Sequence, residues 1–340
     1  MSIFGVLIWL SFAFLKVKSL LHPYPHSSAY SKIASLWKQP LDAVPLITYS
    51  SYSESNNDIA PLPCHSHNDY WRKVPLFEAL SYGCASVEAD IYLSDEPIHD
   101  GIKNIDLYVG HERSALDPDR TLTSLYLAPL FRILYEQTSP VNDAPQGVFQ
   151  SSPSTPLVLL VDFKPSENSS AVWHALDLHM TTFRGLGWLT RWDREKNKRV
   201  PGLLTIVATG DAPFEEIAAA PDGDVFYDAP LEKLATDDRY NASNSYYASA
   251  SLSTLVGKIG LGHSLSDAQM EELKSAVGFA KEKDLMVRAW DIPNWPVATR
   301  NKIWEQLLEA GVDVLNLDDF GTATSKDWRL CKIGGIELCT

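Results

Sequence analysis

Basic side chains are scarce in this chain of 340 residues, which has 29 Lys and Arg against 43 Asp and Glu and a net charge of −14. Proteins that bind nucleic acid hold the phosphate backbone with clusters of Lys and Arg. The acidic balance therefore argues against a nucleic-acid partner. It leaves a small phosphate-containing substrate open, because one metal ion can reverse the local potential.

The chain also lacks an apolar run long enough for an ordinary membrane span, which needs about 20 residues. The run Ile3–Leu15 has thirteen residues and no charge, a length typical of the core of a signal peptide. We predict a signal peptide or an uncleaved N-terminal anchor in residues 1–25, with an apolar tail packed on the domain as the alternative. A leader predicts the secretory pathway, an extracellular location or attachment to a membrane, and glycosylation triplets at Asn168 and Asn241 are compatible with it.

Cysteine is limited to four residues, and their spacing matches no zinc pattern. For a secreted chain we predict one disulfide, between Cys331 and Cys339, and for a cytosolic chain none. Cys64 and Cys84 are expected to be buried thiols that pack as small apolar side chains.

No internal repeat is detectable, so the fold has to be inferred from the order of the elements. Apolar segments alternate with helix-like segments, which predicts parallel strands joined by crossover helices. Eight segments qualify as parallel strands: 59–65, 84–93, 157–163, 203–208, 224–227, 256–261, 285–290 and 312–317.

Eight such units predict a TIM-type (β/α)8 barrel, a single domain that takes about 250 residues. We assign the barrel to residues 59–322, a linker or surface wrap to 26–58 and a C-terminal tail to 323–340. Residues 106–110 are predicted to return antiparallel on the second strand. The segment Thr236–Ser253 is rich in Ser, Asn, Tyr and Ala, and is predicted to be a loop over the barrel mouth.

Charged side chains recur where the predicted strands end, although a charge in an apolar strand is costly unless it is paired or metal-bound. Glu88 and Asp90 lie two residues apart on the second strand, so both point to one face of it. Asp162 occupies the same place on the third strand. Three converging carboxylates favour Mg2+ or Ca2+, which prefer oxygen ligands. The alternative is a structural salt bridge to Lys164 or Arg288.

The segments HSHNDY, PLFEALSYGCASVEADIYL and LYVGHE resemble the catalytic region of the phosphatidylinositol-specific phospholipase C-like phosphodiesterases. This superfamily includes the glycerophosphodiester phosphodiesterases and the spider-venom-type phospholipases D. The strongest resemblance is to the fungal altered inheritance of mitochondria protein 6 family, and it covers roughly residues 59–322. Mitochondrial association is implied by this family resemblance alone. The chain lacks the His-Arg start and the Glu-Asn-Thr of the glycerophosphodiesterases, which weakens a transfer of glycerol specificity.

The resemblance implies a role for each of the residues that match the motifs of the superfamily. The metal ligands would be Glu88, Asp90 and Asp162, and His111 would be the second catalytic histidine. The first catalytic histidine matches either His65 or His67, and the following Asn68 favours His67. Substrate contacts are implied for Lys164, which matches a phosphate-binding lysine, and for Trp290, which matches an aromatic residue of the pocket, with Asn68 beside them.

These residues suit cleavage of a phosphodiester, which requires charge neutralisation at the phosphate, a base for the attacking oxygen and an acid for the leaving oxygen. We expect a metal-dependent phosphoric diester hydrolase or lyase that acts on a small-molecule or lipid phosphodiester, with contact to a membrane surface as a further expectation. The attacking group and the oligomeric state stay open.

Two other functions stay open as alternatives. His65 and His67 resemble the His-x-His of amidohydrolase barrels, with Asp318 or Asp319 as the last carboxylate. That interpretation leaves the Glu-x-Asp of the second strand unexplained. A barrel that binds phosphate or lipid without catalysis is the other alternative, and the two matched histidines weigh against it.

Overall fold

Eight parallel strands close into a barrel in the computed structural model, which describes residues 59–93, 106–138, 145–166, 168–260 and 263–320 and a few isolated positions outside these ranges. The strands, in chain order, are β1 (Leu62–Ser66), β2 (Cys84–Leu93), β3 (Leu107–Val109), β4 (Leu157–Phe163), β5 (Arg191–Asp193), β6 (Lys198–Val200), β7 (Leu204–Gly210), β8 (Val225–Pro230), β9 (Ser245–Ser251), β10 (Met286–Trp290), β11 (Val314–Leu317), β12 (Lys332–Ile333) and β13 (Ile336–Glu337).

The α-helices are α1 (Phe77–Ser81), α2 (Ala128–Gln137), α3 (Ser169–Gly185), α4 (Phe214–Ala219), α5 (Leu252–Val256), α6 (Asp267–Glu282) and α7 (Val297–Glu309). A π-helical turn at Thr123–Leu127 leads into α2, and short 3-10 turns lie at Asp69–Trp71, Arg113–Ala115 and Leu231–Lys233. The two longest of the described helices, α3 and α6, begin at side-chain caps. Asn168 accepts the N–H of Ala171 at the start of α3, and Ser266 with Gln269 forms a reciprocal capping box at α6.

The barrel strands follow the order β1-β2-β4-β7-β8-β9-β10-β11, and β11 pairs back with β1. All eight pairings are parallel, which confirms the predicted (β/α)8 fold. The strand β3 lies outside the ring and pairs antiparallel with the end of β2, with Ile91 opposite Val109. This confirms the predicted return, which carries the chain to His111 at the mouth.

The sixth barrel strand was predicted wrongly. It is β9, Ser245–Ser251, within the segment predicted to be a loop, whereas Val256 ends α5 and residues 257–260 form no strand. Every residue of β9 is buried, yet its sequence SYYASAS has no Val, Ile or Leu. A small polar side chain suits position 249, because Ser249 accepts a hydrogen bond from the buried Arg288. The antiparallel pair β5–β6 was also missed.

The expectation of buried free thiols at Cys64 and Cys84 was wrong, because Cys64 of β1 and Cys84 of β2 form a bridge. The two strands are adjacent in the barrel, which brings the Cα atoms to 4.8 Å, within the range that a disulfide needs. A bridge across a loop of this size stabilises the fold by about 3 kcal/mol, in the chain-entropy description. The bridge predicted between Cys331 and Cys339 lies outside the described residues.

Alternation along the strands divides the barrel interior into layers. The lower interior is apolar and contains Val158, Leu160, Val207, Phe226, Tyr247 and Val314. The next side chains on the same faces are polar, so charged groups collect at the carboxyl ends of the strands. The opposite strand faces pack on the helices and form the main hydrophobic core.

Within the described residues, no helix combines the length and the apolar character needed to cross a bilayer. The predicted leader in residues 1–25 and linker in 26–58 lie outside the described residues, as does nearly all of the predicted tail in 323–340.

Candidate active site

Three carboxylates meet at the mouth of the barrel, as the strand pattern predicted. Asp90 of β2 lies opposite Asp162 of β4 in the strand register, and Glu88 lies two residues earlier on β2. One oxygen from each residue lies within 4.8 Å of the others. Glu88 and Asp90 are buried, whereas Asp162 is partly exposed.

Lys164 is the cation that lies between two of these carboxylates. Its Nζ donates to Asp90 Oδ2 and Asp162 Oδ2, at 2.6 Å each, so the structural salt bridge weighed as an alternative does form. It does not balance the site, because one ammonium faces three carboxylates. Burial raises the pKa of Asp162 to about 6, and burial with the charge of Glu88 raises that of Asp90.

The residues present fit a divalent cation. The donors are all carboxylate oxygens, which Mg2+ and Ca2+ prefer. Asp90 Oδ1 is buried and has no hydrogen-bond partner among the described residues, although buried carboxylate oxygens are rarely left unpaired. A Cβ at Gly210, the last residue of β7, would collide with the Asp162 carboxylate. The small residue therefore keeps space beside this ligand.

His65 lies beneath the three carboxylates, is fully buried and does not line the cavity. Its Nε2 contacts Glu88 Oε2 at 3.1 Å, and its Nδ1 contacts Ser86 Oγ at 2.7 Å. Because a carboxylate only accepts, Nε2–H is the donor and Nδ1 accepts from Ser86, whose oxygen accepts from Tyr247. Burial, with the charge of Arg288, lowers the pKa of His65 to about 4. This ring is neutral and orients Glu88.

Glu88 is held as a carboxylate despite its burial. Burial opposes ionisation, but the hydrogen bond from His65 and the charges near it hold the pKa of Glu88 far below its usual range. The backbone N–H of Asn68 also donates to it, at 3.2 Å. Asn68 can do so because it adopts the left-handed conformation, with φ of 48°, which asparagine tolerates better than most residues.

His67 lies at the mouth and lines the cavity. Its Nδ1 donates to Asp318 Oδ1 at 2.8 Å, which leaves Nε2 as the nitrogen for a substrate. Burial lowers the pKa of His67, but the hydrogen bond to Asp318 and the charge of Glu88 outweigh it, and the pKa is raised above its ordinary value. His67 can therefore carry a proton near neutral pH.

His111 follows β3 and lines the same cavity. Its Nδ1 lies 3.1 Å from Asp90 Oδ2 and 3.1 Å from the hydroxyl of Tyr70. The Tyr70 hydroxyl also lies 2.6 Å from Asp90 Oδ2 and 2.7 Å from Asn68 Oδ1. The exposed ring of Trp71 packs on His111, with the centroids 5.1 Å apart. Both mouth histidines are thus oriented through Nδ1 by a carboxylate.

The cavity above these groups has a volume of about 570 Å3. It brings together most of the predicted site residues, which line one wall or the rim: His67, Asn68, Glu88, His111, Asp162, Lys164 and Trp290. Asp90 lies just behind this wall, with its side chain fully buried. Trp290 is 41% exposed at the end of β10, a position that leaves its ring free to contact a ligand.

Two polar residues beside the cavity, Tyr70 and Asp228, went unrecognised in the sequence, and Arg288 was considered only as a salt-bridge partner. Asp228 and Arg288 are buried on β8 and β10 and line the far side of the cavity. A charge inside the apolar strands VFYDAP and MVRAW was the signal that could have identified both. Nothing comparable marks Tyr70, whose role depends on the fold of the first loop.

The geometry disfavours the amidohydrolase alternative. That class needs histidine ligands on its metal, but His65 bonds Glu88 and His67 bonds Asp318. Among the described residues, the side chains close enough to share an ion are Glu88, Asp90 and Asp162, without a histidine. His263, between α5 and α6, is exposed and does not belong to this group.

Comparison with known proteins gives one family. Residues 53–228 match the family described as the AIM6-like phosphodiesterase domain. Altered inheritance of mitochondria protein 6 homolog of Arthroderma benhamiae is 36% identical over 294 residues, which cover 83% of this chain and 88% of that protein.

Two further relatives are named altered inheritance of mitochondria protein 6. The protein of Eremothecium gossypii is 36% identical over 75% of this chain and 67% of its own length. That of Saccharomyces cerevisiae is 34% identical over 81% of this chain and 73% of its own length. No solved structure matches significantly.

Proposed function

The chain belongs to the AIM6-like phosphodiesterase family, and from this premise we propose that it is a metal-dependent phosphoric diester hydrolase or lyase. The observation that carries the proposal is the meeting of three carboxylates, one lysine and two carboxylate-oriented histidines around one cavity. The substrate we propose is a glycerophosphodiester or a lipid-headgroup diester.

The metal ligands in this proposal are Glu88, Asp90 and Asp162, with Mg2+ or Ca2+ as the ion. When bound, the ion supplies positive charge that neutralises the oxygens of the phosphate. Lys164 adds a second positive charge beside the same oxygens, since burial does not prevent its two carboxylate partners from raising its pKa. His65 keeps Glu88 ionised and correctly oriented from below.

The two mouth histidines carry the proton transfers. One of them takes the proton from the attacking oxygen, which belongs to water in a hydrolase and to a substrate hydroxyl in a lyase. The other gives its proton to the leaving alcohol oxygen as the phosphorus–oxygen bond breaks. Asp318 stabilises the charged form of His67, and Asp90 and Tyr70 orient His111. Trp290 offers an aromatic wall to the substrate.

For location, the disulfide between Cys64 and Cys84 and the apolar run near the N-terminus support the secretory pathway or the extracellular side. The printed names of the relatives refer to mitochondrial inheritance, which is consistent with mitochondrial association. We propose an oxidising compartment in either case, because the bridge would be reduced in the cytosol.

The acid–base assignment is tested with the full chain, Mg2+ or Ca2+, and a panel of glycerophosphodiesters and lysophospholipids. We expect His67→Ala and His111→Ala each to lower kcat by about 10²–10⁴-fold, the usual contribution of a general acid or base. Metal affinity, measured by calorimetry, should stay close to that of the unchanged chain.

His174→Ala is the matched control, because His174 is an exposed residue of α3 outside the cavity. Its turnover should equal that of the unchanged chain. Activity retained in both cavity variants would refute the histidine assignment. Tight binding of the diesters without turnover under either metal would favour the non-catalytic barrel.

A further inference from the structure

Asp228 and Arg288 form a buried ion pair on the far side of the cavity. Asp228 lies on β8 and Arg288 on β10, across the barrel from the strands β2 and β4 that carry the three carboxylates. Asp228 is only 7% exposed and Arg288 only 4%, yet both line the cavity. The proposed function assigns neither residue a role in metal binding or proton transfer.

The pair is held in place but is not fully satisfied. Arg288 donates from Nε to Ser249 Oγ at 3.1 Å, from Nη1 to Asn316 Oδ1 at 2.8 Å and from Nη2 to Asp228 Oδ2 at 3.4 Å. Thr209 also donates to Asp228 Oδ2, at 3.2 Å. The second carboxylate oxygen, Asp228 Oδ1, is buried without a partner in the described part of the chain.

A buried oxygen without a donor is costly, and such groups in folded proteins call for an explanation. Arg288 adds to the same imbalance, because a guanidinium has five N–H donors and three are used here. Asp228 Oδ1 and two N–H groups of Arg288 are therefore left for a partner that the described residues do not supply. A ligand group that both donates and accepts hydrogen bonds, such as a hydroxyl, satisfies them.

The charge of this half of the cavity favours a neutral ligand group. Asp228 and Arg288 balance each other, as do Glu232 and Lys233 at the rim. The buried guanidinium of Arg288 would repel a quaternary ammonium group, and the buried carboxylate of Asp228 would repel a second phosphate. The walls are aromatic, with Tyr227 and Tyr240 stacked at 5.9 Å and Trp290 exposed. Such faces accept the C–H surface of an alcohol and also a quaternary ammonium group, so the selection between them rests on the buried pair.

We propose that Asp228 and Arg288 form the subsite for the alcohol portion of the diester and select a neutral alcohol that carries free hydroxyl groups. This inference rests on the proposed function. Asp228 accepts a hydrogen bond from one hydroxyl, and Arg288 donates to the same or a neighbouring one. Glycerol and inositol share this chemistry, whereas choline does not.

The test compares Asp228→Asn with the unchanged chain on four diesters: the p-nitrophenyl phosphodiesters of glycerol, inositol and choline, and bis(p-nitrophenyl) phosphate as a reference without hydroxyls. The unchanged chain should prefer the two hydroxyl-bearing diesters to the choline diester by at least about tenfold in kcat/KM. In Asp228→Asn this preference should fall about tenfold or more, and the reference diester measures any general loss of turnover against which the change in preference is judged. The larger of the two hydroxyl-bearing rates identifies glycerol or inositol.

Asp224→Asn is the matched control for loss of a buried ion pair. Asp224 immediately precedes β8, is as buried as Asp228 and bonds Arg184 at 2.6 and 3.0 Å, but it does not line the cavity. It should lower stability without changing the order of substrates. If Asp228→Asn fails to fold, the double variant Asp228→Asn with Arg288→Gln removes both charges and should lose the same preference.

Failure of the subsite is distinguishable from failure of the proposed function. Absence of turnover on all four diesters overturns the enzyme assignment, and calorimetric binding of glycerol phosphate against phosphocholine then decides the subsite. Preferred binding of glycerol phosphate that is lost in Asp228→Asn supports it. Equal treatment of hydroxyl-bearing and choline ligands, or an equal loss on all diesters in Asp228→Asn, overturns it.

Discussion

At the scale of single residues, each mouth histidine is defined by the carboxylate that holds its Nδ1 atom. His67 is held by Asp318 and His111 by Asp90. The remaining nitrogen, Nε2, is the one left to exchange a proton with a substrate. Such pairs fix the tautomer of the ring. At His67 the pair with Asp318 also raises the pKa, so Asp318 helps to set the pH range in which His67 can act.

Asp318→Asn should shift the pH profile of kcat/KM. The hydrogen bond to Asp318 and the charges of Glu88 and Asp318 raise the pKa of His67 against burial, which lowers it. Removing the Asp318 charge should therefore lower the His67 pKa, and the limb of the profile that reports this residue should move to lower pH by about one unit.

Asp319→Asn is the control for this shift. Asp319 is the adjacent carboxylate, bonds Arg300 at 3.1 Å and does not line the cavity. Its profile should match that of the unchanged chain. Identical profiles for all three proteins would contradict a titrating role for His67.

The sequence located most of the site residues because their signal is local. A carboxylate inside an apolar strand stands out in the sequence because burying an unpaired charge costs free energy. Glu88, Asp90 and Asp162 are such carboxylates. The choice between His65 and His67 depends on how far each lies along β1, one beneath the carboxylates and one beside the cavity. The sequence does not show how deep in the barrel each histidine lies, because both side chains point to the same face of the strand.

At the scale of elements, the end of β7 is shaped around the third carboxylate on β4. Gly210 has a φ of 68°, and its position leaves no room for a Cβ beside Asp162 and the carbonyl of Phe163. Gly257, after α5, has a similar φ of 74° but faces open space. Both glycines therefore have a positive φ, but of the two only Gly210 lies against a residue of the site.

Gly210→Ala and Gly257→Ala should separate these effects. Both should lose about 1–3 kcal/mol of unfolding free energy, the cost of holding a residue with a Cβ in a backbone region that only Gly adopts readily. Gly210→Ala alone should also displace Asp162, with weaker Mg2+ binding and about a hundredfold lower turnover, because catalysis is sensitive to small misplacements. Urea unfolding, calorimetry and diester turnover measure the three quantities. Unchanged turnover in Gly210→Ala would contradict a ligand role for Asp162.

Elements with apolar, β-branched sequences were predictable, as β2, β4 and β7 illustrate. The strand β9 was not predictable, because its interior side chains make polar contacts. Ser249 accepts a hydrogen bond from Arg288, and Tyr247 donates one to Ser86. Its propensity as an isolated segment is that of a loop, and only its neighbours β8 and β10 make it a strand. The bridge between Cys64 and Cys84 escaped prediction for the same reason, since adjacency in the barrel determines it.

At the scale of the whole molecule, an acidic chain gathers negative charge at the mouth of its barrel. One half of the cavity has three carboxylates with one lysine, which suits a cation and the phosphate that it binds. The other half has the balanced pair Asp228–Arg288, which suits the neutral part of a substrate. The lower interior is apolar and supports both. This division of the barrel, with metal and phosphate on one side and alcohol on the other, is the central feature of the proposed enzyme.

The most direct test of this account is turnover of bis(p-nitrophenyl) phosphate by the full chain after removal of metal with EDTA. We predict no turnover in the chelator, recovery on addition of Mg2+ or Ca2+, and no recovery in Glu88→Gln or Asp162→Asn. Asp224→Asn, which removes a carboxylate far from the cavity, should recover like the unchanged chain. Full turnover in the presence of EDTA, or full recovery in both ligand variants, would contradict a metal-dependent phosphodiesterase built on these carboxylates.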